Sequence, residues 1–296
     1  MPKKQTKESA NTENRKSGLV TLIGRSNVGK STLLNTIIGT KIAAVSSKPQ
    51  TTRNTIHGVL NRPEGQVVFV DTPGVFKEQH SHLSGQLSEQ VKDALQDIDL
   101  ILYVVDPAKP IGAEERFVLS LLRHASVPKL LVINKCDRPE KENEFLEDYV
   151  ALGEDFAGTF QVSAIKNRHI QPLIDKVFSL LPIGEPLYPP EQLTNIPKEF
   201  WVAEIIREKI FLALRKEVPY TTHVEVKSIE NKDDVVVIKA TIYTYDSRYK
   251  NMIIGAHGRA IKEIGIAARK ELEQATNKKI FLELEVETDK HWLERV

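Results

Sequence analysis

A short apolar run, Leu19-Val20-Thr21-Leu22-Ile23, leads directly into Gly24-Arg25-Ser26-Asn27-Val28-Gly29-Lys30-Ser31-Thr32, and Leu33, Leu34, Ile37 and Ile38 follow at helical spacing. A buried strand, a glycine loop and a helix in that order leave few folds open. The glycine–lysine–serine spacing in that setting predicts a P-loop. Its glycines let the backbone curl until the N–H groups face phosphate oxygens, and the helix N-terminus adds its positive dipole end at the same spot. In that geometry Gly24 to Thr32 cradle a nucleotide, Lys30 meets the β- and γ-phosphates, and the Ser31 hydroxyl holds a magnesium ion.

The chain has 296 residues, enough for about two domains with full cores. A net charge of only +1 means that any polyanionic partner must be met by a local patch rather than a global field. The single cysteine, Cys136, excludes an intrachain disulfide and suits a reducing cytosol. No apolar run approaches the length of a membrane span, and no signal peptide precedes the first strand. A cytoplasmic monomer is expected, with peripheral contact at the inner face of the cell membrane left open. Residues 1–17 are polar and read as a disordered tail.

Behind the P-loop helix, residues 42–54 form a polar loop holding Thr51 and Thr52, either of which can add a second hydroxyl to the magnesium. The apolar run Val67-Val68-Phe69-Val70 delivers Asp71-Thr72-Pro73-Gly74. A carboxylate at the tip of a buried strand can hold magnesium through water, and Gly74 leaves a backbone N–H for the γ-phosphate. Residues 76–90 read as a second mobile loop with its helix, and His80 and His82 there read as solvated rather than as metal ligands.

Two further strands are expected at Leu100–Val105 and Lys129–Ile133. The second delivers Asn134-Lys135-Cys136-Asp137. Asp137 can accept both the ring N–H and the exocyclic amine of guanine. Adenine lacks that donor pair and would leave the carboxylate unpaired, and sites built this way reject the wrong partner by about 10⁴ or more. The Lys135 stem can lie over the base, and Asn134 can tie the segment to the P-loop. Ser163-Ala164 forms a loop that can close over the base edge, and a helix at Ile170–Leu181 completes an alternating strand–helix series. The four segments Gly24–Ser31, Asp71–Gly74, Asn134–Asp137 and Ser163–Ala164 make residues 18–181 an α/β GTP-binding domain, a mostly parallel sheet covered by helices.

Prolines crowd residues 182–190, and 182–198 reads as a stiff linker. Residues 199–296 then follow the order helix, strand, strand, helix, loop, helix, strand, with Gly255-Ala256-His257-Gly258 between the two later helices. This α+β pattern resembles the bacterial, type II KH domain, whose Gly-x-x-Gly loop clamps the backbone of unpaired RNA. Gly255, Ala256, His257, Gly258, Arg259 and Lys262 are the candidate RNA-binding residues.

The whole chain resembles the Era family of bacterial GTPases over residues 18–290. Gln50-Thr51-Thr52-Arg53, Glu204-Ile205-Ile206-Arg207-Glu208-Lys209, Val218-Pro219-Tyr220 and Ile261-Lys262-Glu263-Ile264-Gly265 fit the family pattern. The resemblance implies a Mg²⁺-dependent switch that hydrolyses GTP to GDP. Its RNA partner would be the 3′ end of 16S rRNA in the small ribosomal subunit, whose assembly it would assist. Two departures stand out: Ser26 replaces the family's usual proline in the P-loop, and His257 stands where many relatives carry lysine. Separately, Val75 occupies the place of the water-orienting glutamine in many small GTPases. Relatives with a hydrophobic residue at that last position use the asparagine at the place of Asn27 to hold a potassium ion against the phosphates. Lys30, Asn27 and Gly74 are accordingly the candidate catalytic groups. Two other readings remain at this point: an RNA-binding module with a structural nucleotide, and a GTPase acting on another RNA.

Overall fold

The computed structural model describes residues 15–43, 56–71, 97–214 and 218–289. The chain divides into two compact units, one holding the residues up to Gly39 with Asn54–Asn195, the other Thr40–Arg53 with Ile196 onward.

In the first unit the strands are β1 (Lys16–Ile23), β2 (Ile56–Arg62), β3 (Gly65–Asp71), β4 (Leu100–Val105), β5 (Lys129–Ile133) and β6 (Thr159–Gln161). They form one sheet in the order β2-β3-β1-β4-β5-β6. Helices α1 (Lys30–Ile38), α2 (Ala113–Arg123), α3 (Leu146–Ala151) and α4 (Ile170–Leu180) accompany it. Every pairing is parallel except β2 with β3. The turn between those two strands is too short for a crossover, so they close as a hairpin. Every residue of β3 and β4 is buried, which is why residues 67–70 and Leu100–Val105 read as unbroken apolar runs rather than alternating ones.

The first strand begins at Lys16, inside the segment expected to be a tail. Lys16 N donates to Glu64 O at 2.8 Å and Ser17 N to Pro182 O at 3.0 Å, so its start is already paired. The proline-rich stretch is also fastened to this unit. Leu193 O accepts from Val59 N at 2.9 Å and Thr194 bridges to Gly58, which covers the outer edge of β2. Gln66, buried on β3, accepts from Leu187 N at 2.7 Å and Tyr188 N at 2.9 Å and donates to Tyr188 O at 2.8 Å.

The second unit is built from α5 (Lys198–Ala213), β7 (Thr222–Lys232), β8 (Val235–Thr244), α6 (Ser247–Ile254), α7 (Arg259–Thr276) and β9 (Lys279–Thr288). The sheet runs β7-β8-β9, with β7–β8 antiparallel and β8–β9 parallel. Its core joins Ile206, Ile210, Ile242, Ile253, Ala268 and Leu272. Helix α7 contributes Ile264, Ala268 and Leu272, one face at four-residue spacing. Lys41 also belongs here. Its carbonyl accepts from Trp201 Nε1 at 2.7 Å, and its ammonium pairs with Glu208 at 2.7 Å and with Glu271. Among the described residues no helix is long and apolar enough to cross a membrane.

Candidate functional site

The P-loop sits between β1 and α1. Gly29, at φ 99°, lies against Asn134, and a Cβ there would stand 2.4 Å from Asn134 Nδ2. Lys30 is buried, and its ammonium donates to the carbonyls of Gly24 and Arg25, both at 3.0 Å. Burial lowers its pKa to about 8, with the Asp71 carboxylate partly opposing that fall. An ammonium so placed is desolvated in advance of any phosphate it meets. Ser31 Oγ donates to Asp71 Oδ2 at 2.6 Å, so the two candidate magnesium ligands converge from α1 and the end of β3. Arg25 contributes main chain to the loop. Its Nε lies 2.6 Å from Glu115 Oε1 on α2, and burial pushes that carboxyl up to about 7 against the pull of the guanidinium.

At the base end, Asn134 is a buried junction. Its Nδ2 donates to Val28 O at 2.9 Å and its Oδ1 accepts from Ala164 N at 3.0 Å, tying the ends of β5 and β6 to the P-loop. Lys135, at φ 66°, donates to Asn27 O. Asp137 accepts from Ser163 Oγ at 2.5 Å, which fixes the turn of its carboxylate. Thr36 Oγ1 of α1 reaches Ala164 O at 2.9 Å, a link with no signal in the sequence motifs.

In the second unit α6 ends at Gly255 (φ 74°), His257 takes φ 53°, and Gly258 (φ 73°) opens α7. The first N–H groups of α7 have no side-chain cap from that residue, which leaves a helix terminus suited to an anion. Beside it lies a cleft of about 300 Å³ lined by Ile261, Lys262, Gly265, Ile266 and Arg269 of α7 and by Phe281, Leu282 and Leu284 of β9. Phe281 is 57% exposed and Ile266 49%. An aromatic face with cations at its side is a platform for an unpaired base. Sequence motifs did not single out Phe281; its trace is an outward-facing aromatic in an alternating strand.

Residues 19–135 match the family described as 50S ribosome-binding GTPase, and residues 217–293 match the KH domain. GTPase Era of Thermoanaerobacter pseudethanolicus is 45% identical over 285 residues, covering 94% of this chain and 92% of its own. The chain belongs to the Era family of GTPases. GTPase Era of Geobacter metallireducens is 43% identical over 283 residues and 94% of each chain. Two Era structures match with a TM-score of 0.84 at 34% identity, covering 95% of this chain and 96% of theirs. One is an Aquifex aeolicus variant bound to GDP·AlF4−, the other a complex with MgGDPNP and nucleotides 1506–1542 of 16S ribosomal RNA.

In this Era-family chain, Gly24–Thr32, Asp71, Asn134, Lys135, Asp137, Ser163 and Ala164 gather at the carboxyl ends of β1, β3, β5 and β6. That is where open α/β sheets bind their ligands. Thr51, Thr52, Gly74 and Val75 lie outside the described residues.

Proposed function

We propose that this chain binds and hydrolyses GTP as a switch, and that it grips the unpaired 3′ end of 16S rRNA during assembly of the small ribosomal subunit. Lys30 holds the β- and γ-phosphates. Ser31 and Asp71, with Thr51 or Thr52, hold Mg²⁺, which neutralises charge on the transferring phosphoryl group. Asp137 reads guanine, and Gly74 offers its N–H to the γ-phosphate. In the second unit the Gly255–Gly258 turn and the start of α7 take backbone phosphates, with Arg259 and Lys262 adding charge, while the Phe281 cleft takes a base. The related Era complex that holds both MgGDPNP and a 16S rRNA fragment supports this pairing of sites.

The observation that carries the proposal is the convergence of Lys30, Ser31 and Asp71 at one end of a loop whose other end is tied by Asn134 to Asp137 and Ser163. Val75 leaves the attacking water without a glutamine, so Asn27 holding a potassium ion supplies the missing charge. Phosphate release from GTP, measured in sodium and in potassium with and without an oligoribonucleotide from the 16S 3′ end, tests this. Potassium should accelerate the wild type and leave Asn27→Ala unaffected. Val75 also favours a second reading, an RNA-binding module with a structural nucleotide. Absence of turnover under every condition would select it.

A further inference from the structure

Asp106 follows β4 directly and is only 1% exposed, yet no nucleotide-binding motif includes it. Its Oδ2 accepts from Lys135 Nζ at 2.7 Å. Its Oδ1 accepts from Arg138 Nη1 at 3.0 Å and from Ala108 N at 3.1 Å. One buried carboxylate thus holds two cations, and those cations bracket the segment that carries Asp137. We propose that Asp106 is a positioning residue for base selection: it fixes Lys135 and Arg138, and through them the angle at which Asp137 meets guanine. This rests on the reading of Asp137 as the guanine acceptor.

The physical case has three parts. Lys135 adopts a left-handed backbone at φ 66°, a conformation costly for a long side chain and kept only where its surroundings enforce it. Its ammonium is drawn inward by Asp106 and by Asn27 O, which sets the course of the lysine stem beside Gly29 of the P-loop. Second, Arg138 and Lys135 repel each other unless the carboxylate stands between them. Removing that charge leaves Lys135 held through Asn27 O but releases Arg138, whose side chain is 32% exposed and has solvent to move into. Third, among the described residues Asp137 has one side-chain tether, the Ser163 hydroxyl. A single hydrogen bond leaves a carboxylate free to pivot about it, whereas the bracketing cations fix the backbone from which it projects.

Asp106→Asn preserves shape and the bond from Ala108 N while removing the charge. The test compares GDP with inosine diphosphate, which lacks the exocyclic amine that Asp137 accepts. The expected result is a Kd for GDP raised by about 10-fold or more, a smaller rise for inosine diphosphate, and a preference ratio reduced at least about 5-fold. KM for GTP should rise with it while kcat at saturation stays within about 2-fold, because the change lies at the base and not at the phosphates. Arg138→Ala, on a more exposed side chain, should reproduce part of the loss and carries the same test if Asp106→Asn does not fold. The control is Asp137→Asn. If that variant leaves the preference ratio unchanged, the reading of Asp137 is wrong. If it collapses the ratio while Asp106→Asn and Arg138→Ala keep theirs, Asp106 only supports the fold and the inference is overturned.

Discussion

Ser31 and Asp71 lie 40 positions apart, and the serine hydroxyl donates to the aspartate carboxylate at 2.6 Å. Helix α1 brings one group and β3 the other, so the pair is set by the β1–β3 register, in which Leu22 stands beside Asp71. A hydroxyl and a carboxylate at that spacing can ligate Mg²⁺ directly and through water respectively. Ser31→Ala should therefore raise the Mg²⁺ concentration needed for half-maximal GTP hydrolysis by about 10-fold or more, the scale seen when metal-site partners are lost. GDP affinity in excess chelator should hardly change. A Mg²⁺ titration of both proteins decides it, and matching titration curves would remove Ser31 from the metal site.

Lys30 gives a pH dependence of defined sign. Its folded pKa of about 8 lies below the ordinary lysine value of 10.5, so between those limits the unfolded chain binds more protons. Stability of the ligand-free protein then rises with pH through that window. Phosphate must do the reverse to binding. It restores the proton on Lys30, so above pH 8 GDP binding takes up a proton and affinity falls by up to about tenfold per pH unit. Calorimetry in two buffers of different ionisation enthalpy should show about three-quarters of a proton taken up at pH 8.5 and almost none at pH 7. A proton count that is the same at both pH values would contradict the assignment.

Gln66 is where the linker is held. Its side chain satisfies the N–H groups of Leu187 and Tyr188 and the carbonyl of Tyr188 from a buried position. Gln66→Leu fills the same space and orphans those groups, at about 1–3 kcal/mol for each buried donor left unmade. Taking about 2 kcal/mol in total, melting of the first unit should drop by about 4–8 °C. Hydrogen exchange should quicken at Leu187 and Tyr188 ahead of the rest of the sheet. Unchanged protection at those two amides would show that the strap is held elsewhere.

That strap also marks the limit of what the sequence makes legible. Strands β3 and β4 and helix α1 are plain in it because burial on both faces demands unbroken apolar runs and the P-loop demands glycine at fixed places. The Asn134 and Asp137 positions are legible for the same reason, since strand tips and their polar residues follow directly from the strands. Gln66 is different. A lone polar residue in an apolar strand says nothing about a partner more than a hundred positions away. Lys41 and Asp106 are equally silent: each is one charged residue among many until folding surrounds it with Glu208 and Glu271, or with Lys135 and Arg138. The prolines around position 186 argue correctly against helix and strand interiors, but stiffness does not reveal which surface the segment lies on.

The Gly255–Gly258 turn separates two kinds of damage. A Cβ on Gly255 would lie 2.7 Å from the Ala260 side chain and 2.9 Å from its backbone nitrogen, whereas a Cβ on Gly258 meets nothing within 4 Å. Both glycines have positive φ, so any substitution carries backbone strain of about 1–2 kcal/mol, which aspartate tolerates better than most residues. Gly258→Asp should thus fold with GTP hydrolysis intact while placing a negative charge at the start of α7, where RNA phosphate is expected. Affinity for a labelled oligoribonucleotide should fall by about tenfold or more, the effect of exchanging attraction for repulsion at about 1.4 kcal/mol per decade. Phe281→Ala should weaken the same binding by about 1–3 kcal/mol through lost stacking, with little change in the salt dependence. Gly258→Asp should instead alter the salt slope, because it acts on phosphate. Wild-type affinity in both variants would place the RNA on another face of the second unit.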